Sequence, residues 1–240
     1  MLSIDQVTAR IMVNRGVAKE DMEGFLHPSL SMLHDPVLMK DMDRAVFLLM
    51  QAIDQGKSIR VIGDYDIDGI NSTYILLKGI RRCGGYADYA IPHRITDGYG
   101  INPDMVDAAK RDGVEVIITC DNGISALPAI ERAKELSMTI IVTDHHQVPY
   151  EEREDGTREE KLPPADAVVD PHRDDDDYPF PDICGAVVAW KLILLLYQEY
   201  HVSRDEGMEF LENAAFATIG DIMPLLDENR VMVKHGLLAM

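Results

Sequence analysis

The chain has 240 residues, of which 46% are hydrophobic, and a formal net charge of −19. This length and composition allow one large α/β domain, or a domain with a short appendage, and leave ample material for a core. The negative charge argues against a general affinity for nucleic acid, because such binding depends on basic surfaces that release counterions. Two acidic runs, 151–160 and 173–177, contribute to this charge and are predicted to be solvated loops.

Signals of membrane insertion or secretion are weak in this sequence. No stretch approaches the roughly 18 consecutive apolar residues that span a bilayer, and residues 1–5 have neither a basic start nor an apolar signal core. Cys83, Cys120 and Cys184 are odd in number and widely spaced, so they form no disulfide framework or zinc motif. We therefore expect a cytoplasmic protein with reduced thiols and no membrane association.

The predicted elements alternate between helices and strands along most of the chain. A poorly patterned N-terminal segment, 1–40, precedes a domain that we place at 41–240. In chain order, this domain is predicted to contain a helix at 44–55, a strand at 59–63, a helix at 70–82, a strand at 86–91, a helix at 103–111, a strand at 116–120, a helix at 126–136, a strand at 139–143, a charged loop at 150–165, a strand at 167–169, and helices at 186–200 and 207–219. Alternation of this kind predicts an α/β fold, with a parallel sheet flanked by helices on both faces.

Three carboxylates follow the first predicted strand, and parallel sheets bind their ligands at the carboxyl ends of the strands. Asp64, Asp66 and Asp68 occupy alternate positions, as at the start of a calcium-binding EF-hand loop. An EF-hand is excluded, because the twelfth position is Ile75 instead of glutamate and a strand precedes the loop. One carboxylate can cap the following helix, but three of them would repel one another without a hard cation such as Mn²⁺ or Mg²⁺.

Two further strand ends carry residues of the types that bind metals. Asp121 follows the third predicted strand in an Asp-Asn-Gly sequence, which alone is an ordinary turn. The triplet Asp144-His145-His146 follows the fourth strand and alone is compatible with a surface position. Because three such clusters meet at one edge of the sheet, the sequence predicts a site for two hard cations, of the type that activates water for in-line displacement at phosphorus.

Two other positions are candidates that also have local explanations. Arg94 lies in a glycine-bearing loop, 91–100, and its guanidinium can pair with two phosphate oxygens, although a surface role fits the spacing equally well. His93, in the same loop, is more simply explained as a solvated residue. Asp221 follows an apolar helix and precedes Pro224, so it is either a further metal ligand or a turn residue.

These motifs, in this order, resemble the DHH phosphoesterase superfamily, named for the triplet seen here at 144–146, and within it the RecJ-type exonucleases specific for single-stranded DNA. The matching segments are 63–69, 94–100, 121–123, 144–146, 184–189 and the segment around Asp221. Together they extend over nearly the whole chain. The resemblance is carried by the combination, since each segment alone is much less specific.

The resemblance implies roles for individual residues. It implies that two Mn²⁺ or Mg²⁺ ions are held by Asp66, Asp68, Asp121, His145 and Asp221. Asp121 would bridge the two ions, and Asp64 would orient a neighbouring ligand. His146 would contact the scissile phosphate or a metal, and Arg94 would pair with phosphate. Asp170 competes with Asp221 for the last ligand position, which the family pattern assigns to Asp221.

The implied activity is metal-dependent hydrolysis of phosphodiester bonds, as a 5′-to-3′ exonuclease on single-stranded DNA in repair and recombination. A single-stranded-DNA-binding protein and a helicase are the expected protein partners. RecJ-type enzymes continue into a second domain and an oligonucleotide-binding fold, and the helical run at 233–240 lacks capping residues. We therefore expect the chain to be part of a longer protein, with weak or no activity alone.

Two other kinds of function stay open. Oligoribonucleases and cyclic-dinucleotide phosphodiesterases carry the same triplet but lack the RecJ-like context of 94–100. A metal-free nucleic-acid-binding scaffold, as in replication-helicase components of the same fold, would have lost its metal ligands. Every expected ligand is present in this chain, which disfavours the scaffold.

Overall fold

The computed structural model describes residues 4–96, 98–153 and 155–240. Its strands are β1 (Ser58–Ile62), β2 (Tyr86–Ala90), β3 (Val116–Cys120), β4 (Thr139–Thr143), β5 (Tyr150–Glu152), β6 (Arg158–Glu160) and β7 (Ala167–Val169). Its α-helices are α1 (Gln6–Asn14), α2 (Met22–Leu26), α3 (Met42–Asp54), α4 (Ile67–Arg82), α5 (Pro103–Arg111), α6 (Leu127–Glu135), α7 (Gly185–Glu199), α8 (Arg204–Met208), α9 (Leu211–Gly220) and α10 (Asp227–Ala239). Within these ranges, every helix is too short or too polar to cross a bilayer.

The predicted α/β fold with a parallel sheet is confirmed. Five strands form one sheet in the order β2-β1-β3-β4-β7, and each neighbouring pair is parallel. The chain runs from β1 outward to β2 and then returns to the other side of β1 as β3. The connections that leave β1 and β3 therefore diverge and open a crevice at the carboxyl ends of these strands, where sheets of this type bind ligands.

Two apolar cores lie on the two faces of the sheet. On one face, Ile62, Ile117 and Ile140 pack against α5 and α6. On the other face, Val61 and Ile118 pack against α3, α4, α7 and α9. Neighbouring residues of a strand belong to different cores, because successive side chains point to opposite faces. Eleven of the fifteen residues of α7 are buried, among them all residues from Gly185 to Ile193, so this helix is the centre of the second core.

Three parts of the chain differ from the prediction. The loop expected at 150–165 contains an antiparallel hairpin of β5 and β6, which remains largely exposed. The helix expected at 207–219 is divided into α8 and α9, and the Trp190 indole donates to the carbonyl of Gly207, near the end of α8, at 2.8 Å. The N-terminal segment, 1–40, contains α1 and α2. The division between segment and domain at residue 40 stays a prediction.

A buried ion pair ties the N-terminal segment to the second core. Lys191 on α7 and Glu228 on α10 are both buried, with 2.8 Å between Nζ and Oε2. Lys191 also donates to the carbonyl of His34 at 2.8 Å. Glu228 accepts from the amide of His34 at 3.2 Å and from the hydroxyl of Tyr178. Burial lowers the pKa of Lys191, and the negative charge of Glu228 opposes that shift.

We expect Glu228→Gln to lower the free energy of unfolding by about 3–5 kcal/mol, because it leaves the Lys191 ammonium buried without its counterion. The double variant Lys191→Met/Glu228→Gln should recover most of this loss, since no charge is then unpaired. Urea unfolding followed by circular dichroism measures both variants. A loss below about 1 kcal/mol in the single variant would show that the pair behaves like an exposed one.

Candidate metal centre

His145, which follows β4, lies at the centre of the crevice. Its Nε2 atom is 3.4 Å from Asp68 Oδ2, 3.1 Å from Asp121 Oδ1 and 3.7 Å from Asp221 Oδ2. These side chains form two groups that share His145. The first group also includes Asp121 and His146, and the second includes Asp68 and Asp221. Within each group the potential ligand atoms lie within 4.8 Å of one another, so residues from three strand ends and from the end of α9 meet at one place.

Two helix N-termini hold the carboxylates of Asp66 and Asp68, which follow β1. Asp66 caps α4, because its Oδ1 accepts from the amides of Asp68 at 3.0 Å and Gly69 at 2.9 Å. This cap explains why α4 begins earlier than predicted. Asp68 is fully buried and accepts from the amides of Gly185 at 2.7 Å and Ala186 at 2.8 Å, in the first turn of α7. Helix N-termini favour carboxylates, because their first amides have no partner within the helix.

Asp121 has a strained backbone and one carboxylate oxygen without a hydrogen-bond partner in the part of the chain that the structure describes. Its φ of 59° lies in the left-handed region, which few residues other than glycine adopt. The side chain is buried, and its Oδ2 has no hydrogen-bond partner among the described residues. Burial raises the pKa of Asp121, and the nearby charges of Asp68 and Asp66 raise it further. A buried carboxylate surrounded by other carboxylates fits a bound cation, because a cation supplies the missing counter-charge.

His146 is oriented by Asp144, which is itself fully enclosed by protein. The Nδ1 atom of His146 lies 2.7 Å from Asp144 Oδ1, and Asp144 also accepts from the amides of Ile124 at 2.9 Å and His145 at 2.8 Å. The hydrogen bond to Asp144 raises the pKa of His146 to about 9, although burial opposes it. Burial by itself raises the pKa of Asp144, but the hydrogen bond and charge of His146 bring it below its usual value. Asp144 therefore positions the imidazole that follows it.

Aromatic side chains that the sequence analysis missed flank His146. The Tyr99 hydroxyl lies 3.1 Å from His146 Nε2 and donates to the carbonyl of Asp121 at 3.0 Å. The Tyr65 ring meets the Tyr99 ring edge to face, with 6.3 Å between centroids. The Arg94 guanidinium lies 5.4 Å from the centroid of Tyr65. Arg94 is thus placed on an aromatic ring next to the site, and its contact with phosphate stays a prediction. The only sequence signal for these tyrosines was their position inside two matching segments.

Asp64 supports the loop that carries Tyr99. The carboxylate is fully buried, and its Oδ1 accepts from the amide of Gly100 at 3.2 Å. Burial raises the pKa of Asp64. The expected role of Asp64 in orienting a neighbouring metal ligand stays a prediction. Residue 97, within the predicted segment 94–100, lies outside the described residues.

Asp170, the competitor of Asp221, belongs to neither ligand group. It is fully buried and accepts from the amide of His172 at 2.9 Å. Burial and the charge of Asp144 raise the pKa of Asp170 to about 8. Asp221, at the C-terminal end of α9, lies with His145 in the second group. The geometry therefore favours Asp221 as the ligand.

Carboxylates and imidazoles at the switch point of a parallel sheet define an α/β protein of the class that holds divalent cations with oxygen and nitrogen ligands. Comparison with known families is consistent with that class. The chain matches the model of the DHH family, N-terminal domain, over residues 58–218. It belongs to the DHH family.

The chain is similar over most of its length to several exonucleases. The single-stranded-DNA-specific exonuclease RecJ of Bacillus subtilis (strain 168) is 37% identical over 237 residues, which cover 98% of this chain and 28% of the relative. A crystal structure of exonuclease RecJ bound to manganese matches with a TM-score of 0.73 and 33% identity, over 88% of this chain and 49% of that one. RecJ from Thermus thermophilus in complex with Mn²⁺ matches with a TM-score of 0.74 and 30% identity, over 96% of this chain and 31% of that one. The chain thus spans 28–34% of the length of its first curated relatives.

In the metal-free protein, His146 is expected to stay protonated up to about pH 9. Because this pKa is raised above the unfolded value of about 6.5, the pair with Asp144 stabilises the fold fully below about pH 6.5, as long as Asp144 stays ionised. The contribution is lost as the pH rises through the folded value. Asp144→Asn should move the pKa of His146 back towards about 6.5.

NMR titration of the imidazoles in the presence of EDTA measures this pKa. Asp174→Asn, at an exposed carboxylate, is the control and should leave the His146 curve unchanged. An unchanged curve in Asp144→Asn as well would mean that Asp144 does not govern the protonation of His146.

Proposed function

We propose that this chain holds two divalent cations, Mn²⁺ or Mg²⁺, and is the metal-binding part of a nuclease that hydrolyses single-stranded DNA. The observation that carries the proposal is the pair of ligand groups that share His145, one of which includes Asp121, whose buried Oδ2 has no hydrogen-bond partner among the described residues. The matched Thermus thermophilus RecJ structures are complexes with Mn²⁺ and with Mg²⁺, which supports these ions. Because the chain spans 28% of Bacillus subtilis RecJ, the substrate, the 5′-to-3′ direction and the role in repair are all part of the proposal.

The proposed ligands are Asp66, Asp68, Asp121, His145 and Asp221. Asp121 would be the ligand shared by the two cations, because it contacts the shared His145 and its Oδ2 has no hydrogen-bond partner among the described residues. Asp66 belongs to neither group, but its charge reaches Asp121, whose pKa it raises. The cap on α4 uses only Oδ1 of Asp66, which leaves its Oδ2 for a cation.

When bound, two such cations activate a water molecule and stabilise the charge that develops at phosphorus. The side chains around them bind and orient the phosphate. Because Asp144 faces Nδ1 of His146, the protonated ring presents its Nε2 hydrogen to the Tyr99 oxygen, whose own hydrogen goes to the Asp121 carbonyl. A phosphate oxygen at this position would accept the same Nε2 hydrogen. Arg94, next to Tyr65, would pair with a neighbouring phosphate through its guanidinium.

The other functions would use the same residues differently. An oligoribonuclease or a cyclic-dinucleotide phosphodiesterase would need the same metal centre, and the choice of substrate separates them from the proposed nuclease. A metal-free scaffold is disfavoured by the convergence of ligands on His145. A single-stranded-DNA-binding protein and a helicase stay predictions as partners.

Titration calorimetry of the chain with Mn²⁺ should show two ions bound per chain. Asp121→Ala should weaken binding at both sites, because the bridging carboxylate that screens the two cations from each other is removed. Glu131→Ala, at an exposed carboxylate on α6, is the matched control and should bind like the wild type. The absence of heat at millimolar Mn²⁺ in the wild type would exclude the metal centre.

End-labelled oligonucleotides test the activity. With Mn²⁺, single-stranded DNA should be degraded faster than duplex DNA or RNA of the same sequence. The rate should be low, because a chain with net charge −19 binds a polyanion weakly. Asp121→Ala should lower the rate of degradation by more than about 100-fold. Mutation of a residue that merely orients a metal ligand already costs roughly 10–100-fold in activity. Glu131→Ala should not change it. Preferred cleavage of RNA or of a cyclic dinucleotide would establish one of the other functions instead.

A further inference from the structure

We infer that Gly185, with the first turn of α7, is a positioning residue that sets the distance between the two ligand groups of the candidate metal centre. Asp68 belongs to one group and Asp121 to the other. Gly185 lies against both of them. The inference deepens the proposed function and rests on it, because it concerns how this chain prepares the same centre for its cations.

The first observation is that Asp68 is the cap of a helix distant from it in the sequence. Within the described chain, Cys184, at the N-cap position of α7, makes no side-chain cap hydrogen bond. The carboxylate of Asp68 takes its place, with Oδ2 accepting from the amide of Gly185 at 2.7 Å and Oδ1 from the amide of Ala186 at 2.8 Å. Because both oxygens are held, the plane of the carboxylate is fixed by the backbone of α7.

The second observation is that no side chain fits at position 185. A Cβ added to Gly185 would lie 2.8 Å from the Cβ and 3.0 Å from the Cα of Asp121, and 3.1 Å from Asp68 Oδ2. The contact of 2.8 Å with the Cβ of Asp121 is shorter than contacts that real Cβ atoms make. The Cα of Asp121 is a backbone atom and its Cβ is bonded to that atom, so neither can give way unless the turn after β3 moves. The missing side chain is therefore what allows the turn of Asp121 to approach α7 and Asp68.

These two observations define how the centre is prepared. Each carboxylate oxygen has two lone pairs, and one on each oxygen of Asp68 is used by α7. The same Oδ2 lies 3.4 Å from His145 Nε2, and Asp121 Oδ1 lies 3.1 Å from that nitrogen. A single glycine thus sets the positions of two carboxylates, from α4 and from the end of β3, relative to one imidazole.

The interface between α4 and α7 contains a second tight glycine that serves as a control. A Cβ added to Gly79 would lie 2.5 Å from Cδ1 of Ile193. Gly79 is eleven residues beyond Asp68 on the same helix, which corresponds to roughly 16 Å. Gly79→Ala therefore disturbs the packing of the same two helices away from the carboxylates.

The experiment compares Gly185→Ala and Gly79→Ala with the wild type in two measurements. The first is the thermal midpoint of the full chain in EDTA, which both variants should lower, because both overpack one interface. The second is the affinity for Mn²⁺ by titration calorimetry. Only Gly185→Ala should weaken the affinity for Mn²⁺, by about 10–100-fold, which is the usual loss when a residue that orients a metal ligand is mutated. Equal affinity of Gly185→Ala and the wild type would overturn the inference, and so would equal weakening in Gly79→Ala.

Ala186→Pro supplies an independent test if Gly185→Ala does not fold. Proline removes the amide that donates to Asp68 Oδ1 and puts its ring Cδ on the side of that oxygen, while position 185 stays a glycine. It is tolerated in the first turn of a helix, and the preceding glycine has no Cβ to clash with its ring. We expect a loss of Mn²⁺ affinity of about tenfold, and normal affinity would overturn the inference. A wild-type chain that binds no Mn²⁺ would instead refute the proposed function.

Discussion

The structure depends on the way in which several negative charges are buried at one edge of a parallel sheet. A buried carboxylate is costly unless it is paired or hydrogen-bonded. The first amides of α4 hold Asp66, and those of α7 hold Asp68. The imidazole of His146 holds Asp144. Asp121 keeps a buried oxygen without a partner in the described chain, so the counter-charge that it needs is the one a cation would supply.

The helix that completes this arrangement is also the centre of the larger core. α7 is buried on nearly all sides, against α3, α4 and α9, and a helix in such a position cannot move without opening gaps in a close-packed interior. Its first turn is therefore a rigid reference for the carboxylate of Asp68. The apolar packing of α7 therefore fixes the position of the Asp68 carboxylate in the candidate site.

Much of this arrangement follows from patterns along the chain. β3, β4 and β7 begin and end at the predicted residues, because strands covered on both faces are rich in apolar and β-branched residues. The ligand residues could be predicted as neighbours, because the ends of parallel strands share one edge of a sheet. The short helices α1 and α2 were missed, since they have little pattern of their own. α2 is held by a distant residue, because Arg230 of α10 donates to the carbonyl of Phe25 near the end of α2.

The amino-acid sequence by itself determines the alternation of strands and helices. It also determines which residue types follow each strand at the ligand-binding edge of the sheet. Both features depend only on neighbours in the chain. The partners of those residues appear only in the folded molecule. Asp68 meets the amide of Gly185 across 117 residues, and the Tyr99 hydroxyl meets His146 across 47. No periodicity in the sequence predicts such pairs. They form only after the apolar surfaces of the helices have packed on the sheet, since that packing brings the start of a helix next to a distant side chain.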